Sequence, residues 1–243
     1  MWLPPQALEI AKELGDRALD RGAWSTTFVL GEPGTGKSTV LDRIAEHIEA
    51  TGRPCLRMSP TSSDLDGPAN ALAQAAAGMR ELRINGVLDP ILDPRASFSI
   101  KRDALVRGLR SAPENTVVLL DIPDSWARPS RQSRDGGTFS FQGHELIHDV
   151  LACGHSHRIV CAAARRLEGI DAEIVSLERG HGDELLATIE WGPCRAAAES
   201  LPSIVAPPIL RKLTPLELRV AVALRELDVD PRVISNCCRA GWP

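Results

Sequence analysis

The sequence predicts an α/β fold, in which a parallel β-sheet is joined by crossover helices and followed by a small helical region. Three observations support this prediction. Short β-rich segments alternate with segments of helical period between residues 26 and 177, and the segment TVVLL (116–120) is apolar throughout, as is typical of a strand buried on both faces. After about residue 180 the pattern becomes helical only. Strands that alternate with helices pair in parallel, because each crossover helix returns the chain to the same end of the sheet.

The elements of the first half follow from local patterns. Residues 4–21 repeat apolar positions at helical spacing, and residues 26–30 (TTFVL) form a short β-rich run. Residues 38–50 predict an amphipathic helix whose apolar face is formed by Val40, Leu41, Ile44, Ala45 and Ile48. A second strand over Cys55–Met58 and an alanine-rich helix over 68–82 complete this half.

The middle of the chain predicts three more strands. Residues 85–98 contain two Asp-Pro steps and little periodicity, which predicts a loop, and Ser99 is then expected to cap a helix over 100–109. The strand 116–120 follows. We expect a long mobile loop over 127–143, and then a helix over 145–152 and strands over 158–163 and 173–177.

The end of the chain predicts helices over 183–189, 195–201 and 215–227. The last of these has a clear start, because Thr214 can cap it, Pro215 suits the first helical position and Glu217 completes a capping box. We therefore divide the chain into an N-terminal helix (1–22), an α/β core (23–178) and a helical region (179–243). The helical region is either a lid or the start of a winged-helix unit.

Composition narrows the functional classes. The 243 residues carry a net charge of −4, so the chain has no overall basic excess of the kind that indicates nucleic-acid binding. No apolar run approaches the roughly 20 residues of a membrane span, and the N-terminus has no secretory pattern. The six cysteines are irregularly spaced, which favours reduced thiols. We therefore expect a cytoplasmic protein with no membrane contact.

The segment GEPGTGKS matches the phosphate-binding pattern G-x-x-x-x-G-K-[ST] between a predicted strand and a predicted helix. Glycines allow backbone N–H groups to surround a phosphate, and the helix N-terminus adds partial positive charge. Lys37 is expected to reach the β- and γ-phosphates of a nucleotide, and the Ser38 hydroxyl to bind Mg²⁺. The predicted nucleotide-binding residues are Gly31, Glu32, Pro33, Gly34, Thr35, Gly36, Lys37, Ser38 and Thr39.

A second part of the site is predicted where TVVLL ends in Asp121. An acidic residue after an apolar strand, downstream of a phosphate loop, typically holds the hydration shell of Mg²⁺. We therefore predict Ser38 and Asp121 as the magnesium ligands, with ATP or ADP as the nucleotide.

Together GEPGTGKST, VVLLDIPD and RIVCAAARR resemble the nucleotide-binding core of AAA+ and STAND ATPases, and most of all the NACHT and NB-ARC modules of the STAND branch. The resemblance covers about residues 24–166. It implies that Asp124 polarises the attacking water and that Arg165 senses the γ-phosphate, alongside Lys37 and Asp121 as catalytic residues. AAA+ proteins usually place Glu directly after the first acid, where this chain has Ile122, and NACHT-like chains often have Glu where it has Ser125. These departures predict slow hydrolysis.

The resemblance implies a nucleotide-controlled switch that governs self-association or a partner effector, of the kind used in bacterial signalling or phage defence. A compact AAA+ ATPase that helps transposition or replication on nucleic acid is the alternative, which the missing Glu at position 122 and the charge balance disfavour. A small-molecule kinase is the third reading. Its arginine-rich lid would be the loop 127–143, with Arg128, Arg131 and Arg134.

Overall fold

The computed structural model describes residues 5–20, 26–59, 67–81, 84, 88–127, 137–153, 157–167, 169–177, 186, 192–213 and 215–240. Five strands form one sheet: β1 Thr27–Leu30, β2 Cys55–Met58, β3 Val117–Asp121, β4 Arg158–Ala163 and β5 Glu173–Ser176. Their order across the sheet is β2-β3-β4-β1-β5, and every neighbouring pair is parallel. The predicted α/β class is therefore confirmed.

The helices that accompany this sheet connect its strands or cover its faces. They are α1 Pro5–Leu19, α2 Lys37–Ala50, α3 Gly67–Glu81, α4 Leu88–Leu92, α5 Phe98–Arg110, α6 Asp124–Ala127 and α7 Gly137–Leu151. The bounds of β2 and β4 are those that the sequence predicts, and the ends of β1, α2 and α3 differ from the predictions by one residue. The patterns of period 2 and period 3.6 thus locate most of the core elements.

Two hydrophobic layers lie on opposite faces of the sheet, because successive side chains of a strand alternate between faces. In β3, Val118 and Leu120 belong to the layer formed with α3, α5 and α7. Val117 and Leu119 belong to the layer formed with α1 and α2. Both faces of the sheet are covered, as parallel sheets require.

Helix α1 is attached to the sheet through its C-terminal end. Arg158 at the start of β4 is 4% exposed and donates hydrogen bonds to the carbonyl of Arg17, at 3.2 Å, and to that of Ala18. A cation at the C-terminus of a helix also stabilises the helix dipole. Arg17 in turn forms a salt bridge with Glu173 of the edge strand β5. The N-terminal helix therefore packs with the α/β core.

The predicted loop over 85–98 is partly wrong, because residues 88–92 form α4. Asp89 and Pro90 lie in its first turn, where proline has no hydrogen bond to lose, so this Asp-Pro step starts a helix. The amide of Asp93 bonds to the carbonyl of Asp89 at 2.9 Å. The predicted cap is also wrong: Ser97 is the cap of α5, and its hydroxyl accepts from the amide of Ile100 at 3.4 Å, so Ser99 lies within the first turn.

The predicted mobile loop over 127–143 is wrong in its second half. Helix α7 begins at Gly137, eight residues before the predicted start at residue 145. Two glycines, Gly137 and Gly143, lower the local helix propensity, and the helix packs on Trp126 at Gly143. The arginines of the proposed lid (Arg128, Arg131 and Arg134) lie outside the described residues.

The C-terminal helical region consists here of residues 192–240. Its helices are Arg195–Ser200, Pro207–Leu210, Pro215–Glu226 and Pro231–Ala240, and its own hydrophobic cluster includes Leu201, Leu218 and Ile234. The predicted helix over 183–189 lies outside the described residues except for the helical Leu186, and the cap Thr214 lies outside as well. Among the residues that the structure describes, no helix is long and apolar enough to cross a membrane.

Candidate nucleotide-binding site

The predicted site residues lie along one edge of the sheet. In a parallel sheet the carboxyl ends of all strands meet at the same edge, where ligands of open α/β sheets bind. Strand β1 leads into the phosphate loop Gly31–Ser38, β3 ends at Asp121, and β4 is followed by Arg165. The order of the strands places β4 between β1 and β3, so these three features come from adjacent strands.

The phosphate loop has the backbone that its glycines allow. Gly34 and Gly36 have φ angles of 82° and 96°, in the left-handed region that favours glycine. Gly31 has no room for a side chain, since a β-carbon there would lie 2.7 Å from the Thr35 hydroxyl and 3.1 Å from the Leu177 carbonyl oxygen. Thr35 is buried and donates from its hydroxyl to the Glu32 carbonyl at 2.9 Å. The loop is therefore stabilised by a hydrogen bond of its own, and it packs closely against Leu177 at the end of β5.

Lys37 lies across this loop. Its Nζ donates to the carbonyl oxygens of Gly31 at 2.8 Å and Glu32 at 2.7 Å. Burial lowers the pKa of Lys37, while the nearby carboxylates of Asp121, Asp124 and Glu32 act in the opposite direction. The lysine and the two predicted acids after β3 are thus close enough to interact electrostatically.

At the end of β3, two neighbouring residues lie in different surroundings. Asp121 is the last residue of the strand and is partly exposed, whereas Ile122 is 4% exposed and belongs to the hydrophobic layer under α3, α5 and α7. The amide of Ile122 bonds to the carbonyl of Ala162 in β4 at 2.8 Å. The chain then turns at Pro123, so that the exposed Asp124 begins α6.

The support of α6 is a feature that the sequence did not predict. Trp126 is 1% exposed, and its ring lies so close to Gly143 of α7 that a β-carbon there would be 2.6 Å from the ring Cγ. Nδ1 of His144 lies 2.8 Å from the Trp126 carbonyl oxygen, as in a donated hydrogen bond. Because Asp124 is two residues before Trp126, α7 fixes the short helix that carries this acid.

Two other contacts near the site were also missed. Arg57 of β2 donates to the carbonyl of Ser38 at 3.2 Å and forms a salt bridge with Asp42 at 2.8 Å, both in the first turns of α2. The Gln74 side chain of α3 accepts from the amide of Ser59 at 2.6 Å and donates to its carbonyl at 2.9 Å. The one available signal was a charged residue, Arg57, inside an apolar strand.

The other predicted site residues, Ser38, Thr39 and Arg165, make fewer contacts than Lys37. Ser38 and Thr39 lie in the first turn of α2, and the Ser38 side chain is exposed. Arg165 is exposed just after β4, and it makes no hydrogen bond or ion pair within the part of the chain that the structure describes. Its neighbour Arg166 instead donates to the carbonyl of Ile170 at 2.8 Å. The structure therefore brings Lys37, Asp121 and Asp124 together, and Arg165 lies at the same edge without a partner among the described residues.

The donor set fits Mg²⁺ better than a transition metal. Mg²⁺ prefers oxygen ligands and is usually bound by one or two protein groups together with water and substrate phosphates. The exposed hydroxyl of Ser38 and the carboxylate of Asp121 are ligands of this kind. No group of three or more His, Cys, Asp or Glu residues that could hold a metal occurs among the described residues.

Comparisons with known proteins support the fold. No protein-family model and no curated protein matches the chain. The Aeropyrum pernix ORC2 protein, solved as ADPNP-ADP complexes, is 15% identical with a TM-score of 0.55, over 98% of this chain and 70% of that chain. A DNA replication initiation factor is 14% identical with a TM-score of 0.48, over 93% of this chain and 63% of that chain. The E. coli MS115-1 HORMA:CdnC:Trip13 complex includes a chain that is 13% identical with a TM-score of 0.47, over 98% of this chain and 88% of that chain.

These likenesses have different weight. The chain spans less than two thirds of the length of the replication initiation factor. The likeness to ORC2, at 15% identity, concerns the fold alone. It does not single out the STAND branch. The chain has an α/β fold with a five-stranded parallel sheet, followed by a helical region, and the likeness to ORC2 supports this fold.

Proposed function

We propose that the chain is an ATP-binding switch module of the AAA+ and STAND type, with slow hydrolysis, which controls self-association or a partner effector. The observation that carries this proposal is the phosphate loop. Its glycines adopt left-handed backbone, it leads directly into the N-terminus of α2, and Lys37 lies across it. A loop of this form binds phosphate through backbone N–H groups and the helix dipole.

The resting contacts of Lys37 suggest how a nucleotide would be held. Its ammonium group is bonded to two carbonyl oxygens of its own loop, and these bonds are exchangeable for bonds to phosphate oxygens. Ser38 and Asp121 would hold Mg²⁺, which neutralises phosphate charge when bound. Because Asp121 and Asp124 lie within electrostatic range of Lys37, loss of the γ-phosphate would change the charge balance around all three. Such a change can bias a module between two arrangements.

The residues that follow β3 are the reason for proposing slow ATP hydrolysis. Ile122 is buried in a hydrophobic layer, so the residue after Asp121 supplies no acid to the site. Asp124 is the remaining candidate for polarising water. It is exposed at the start of α6, where water exchanges freely. Rapid hydrolysis needs a base held in place next to the attacking water.

An AAA+ ATPase that acts on nucleic acid is the second candidate. The fold likeness to ORC2 favours it over the small-molecule kinase, whose proposed lid falls partly on the helix α7. This candidate predicts that DNA stimulates hydrolysis at least several-fold. The switch predicts no such stimulation.

The first test is to purify the protein without added nucleotide, denature it and identify any released nucleotide by chromatography. We expect ADP or ATP from the wild type and none from Lys37→Ala. Lys12→Ala serves as the matched control, since Lys12 is an exposed lysine of α1. Its nucleotide content should equal that of the wild type.

The outcomes separate the candidates. An empty wild-type protein that rapidly hydrolyses added ATP would favour the nucleic-acid ATPase, and turnover with and without DNA would then be measured. Failure to retain nucleotide, to bind added ATP and to hydrolyse it would contradict the nucleotide site itself.

A further inference from the structure

Arg57 joins the edge strand β2 to the start of α2. Its neighbour in the register of the sheet is Leu119 of β3, which belongs to the layer formed with α1 and α2. Nη2 of Arg57 donates to the carbonyl oxygen of Ser38 at 3.2 Å and to Oδ1 of Asp42 at 2.8 Å. One nitrogen therefore binds two residues that lie four positions apart, on one side of α2.

The start of α2 has no capping side chain to hold it. Its N-cap is Gly36, which has no side chain with which to accept a hydrogen bond from the first turn. The backbone of the phosphate loop favours glycine at this position, because φ is 96°. The contact with Arg57 is thus a constraint on the first turn of α2 that comes from a different element of the sheet.

The charge of Arg57 points to a geometric role for this contact. A cation near the N-terminus of a helix opposes the helix dipole, so the dipole does not favour a guanidinium group here. The salt bridge with Asp42 offsets the charge, and the Arg57 side chain is only 22% exposed. Nη1 of Arg57 is buried and has no hydrogen-bond partner among the described residues. The hydrogen bonds that hold the end of this side chain are therefore those to α2.

We propose that Arg57 is a positioning residue for magnesium, and that it acts through Ser38. This role rests on the proposed function, in which the exposed Ser38 hydroxyl binds the Mg²⁺ of the nucleotide. Mg²⁺ demands nearly ideal octahedral geometry, so it is bound less well by a ligand whose position is not fixed. By holding the Ser38 carbonyl, Arg57 fixes the backbone from which that hydroxyl projects.

The test compares the affinity of the full chain for a non-hydrolysable ATP analogue in excess Mg²⁺ and in excess EDTA, measured by equilibrium dialysis. The ratio of the two affinities isolates the contribution of the metal, because general damage to the site lowers both. The main variant is Arg57→Met with Asp42→Asn, which leaves neither charge unpaired. We expect it to lower the ratio at least threefold and to change the affinity in EDTA less than twofold.

Further variants distinguish positioning of Ser38 from a merely structural role. Ser38→Ala removes the predicted ligand, so adding the main variant to it should cause no further loss of the ratio. The matched control is Arg43→Met, which removes a 2.7 Å salt bridge with Glu46 on the same helix and should leave the ratio unchanged. If the main variant has a lowered melting temperature, Arg57→Lys replaces it. Lysine keeps the charge but lacks the planar fork of donors, so we expect a smaller loss of the ratio.

The outcomes separate this role from the nucleotide site itself. The role of Arg57 is wrong if its variants keep the ratio of the wild type, if their loss adds to that of Ser38→Ala, or if Arg43→Met lowers the ratio equally. In each of these cases the wild type still binds the analogue more tightly with Mg²⁺, so the proposed function stands. A wild-type protein that binds no analogue, or binds it equally in both buffers, would contradict the proposed nucleotide or magnesium site, and the role of Arg57 with it.

Discussion

Substitution of Gly143 by alanine tests whether α7 positions the acid at the start of α6. A β-carbon at this position would lie 2.6 Å from Cγ of Trp126. Carbon atoms in contact are about 3.5–4.0 Å apart, so the ring or the helix must move by roughly 1 Å. Trp126 is 1% exposed, so a shift of its ring must displace other protein atoms. Overpacking of this kind costs about 1–3 kcal/mol, and the better helix propensity of alanine returns about 1 kcal/mol.

The difference is about 0–2 kcal/mol, and the close approach to a buried ring favours the upper half of that range. We therefore expect Gly143→Ala to lower the free energy of unfolding by about 1–2 kcal/mol, as measured by urea denaturation followed by circular dichroism. The same displacement moves α6 and with it Asp124. If the proposed role of Asp124 is right, the rate of ATP hydrolysis should fall while the affinity for nucleotide changes little, because the phosphate loop is untouched.

The control is the double variant Gly143→Ala with Trp126→Leu, in which the smaller side chain leaves room for the new methyl group. Trp126→Leu alone leaves a cavity, so the two substitutions should be less harmful together than the sum of their separate effects. Full stability of Gly143→Ala, or strictly additive effects in the double variant, would refute the packing argument. A stable variant with normal hydrolysis would also remove the proposed link between α7 and Asp124.

Three further predictions rest on single residues. Burial lowers the pKa of Lys37 below the usual lysine value of 10.5. As the pH rises through this lowered pKa, the side chain loses its charge, and the affinity for nucleotide should weaken. Lys37→Arg, tested by equilibrium dialysis, should show no such weakening if it binds, since arginine keeps its charge. Arg158→Met should lower the free energy of unfolding, measured by urea denaturation, by about 2–4 kcal/mol, because two carbonyl oxygens of α1 lose a charged donor. A loss below about 0.5 kcal/mol would contradict this prediction. Burial raises the pKa of the Cys55 thiol to about 12. Iodoacetamide at pH 8 should therefore modify Cys55 far more slowly in the native protein than in urea, and mass spectrometry can measure both rates. Equal rates would contradict the burial of this thiol.

The sequence was sufficient to predict the sheet and the phosphate loop because both depend on short-range patterns. The strand Arg158–Ala163 is apolar after its first residue, and the loop motif fixes where β1 ends and α2 begins. Helix α7 was predicted to start too late, and its contacts with Trp126, at Gly143 and His144, join residues that are separated in the sequence. A helix held by tertiary packing leaves little trace in a local pattern.

The same limit applies to the candidate site. Lys37 and Asp121 could be predicted because a motif and a strand end mark them, whereas the contacts of Arg57, Gln74 and His144 join separate elements.

The burial of Ile122 explains why the acids after β3 depart from the common AAA+ arrangement. Side chains of a strand alternate between faces, so the residue after Asp121 faces the hydrophobic layer under α3, α5 and α7. A glutamate at this position would place an unpaired charge in that layer, which costs far more than a surface substitution. An acid can return to the site only after the chain has turned, as it does at Pro123, and Asp124 is the first residue that satisfies this condition. If Asp124 is the second acid of the site, as we propose, the spacing of three residues between the acids follows from how β3 ends, and α7 supports the short helix that carries Asp124.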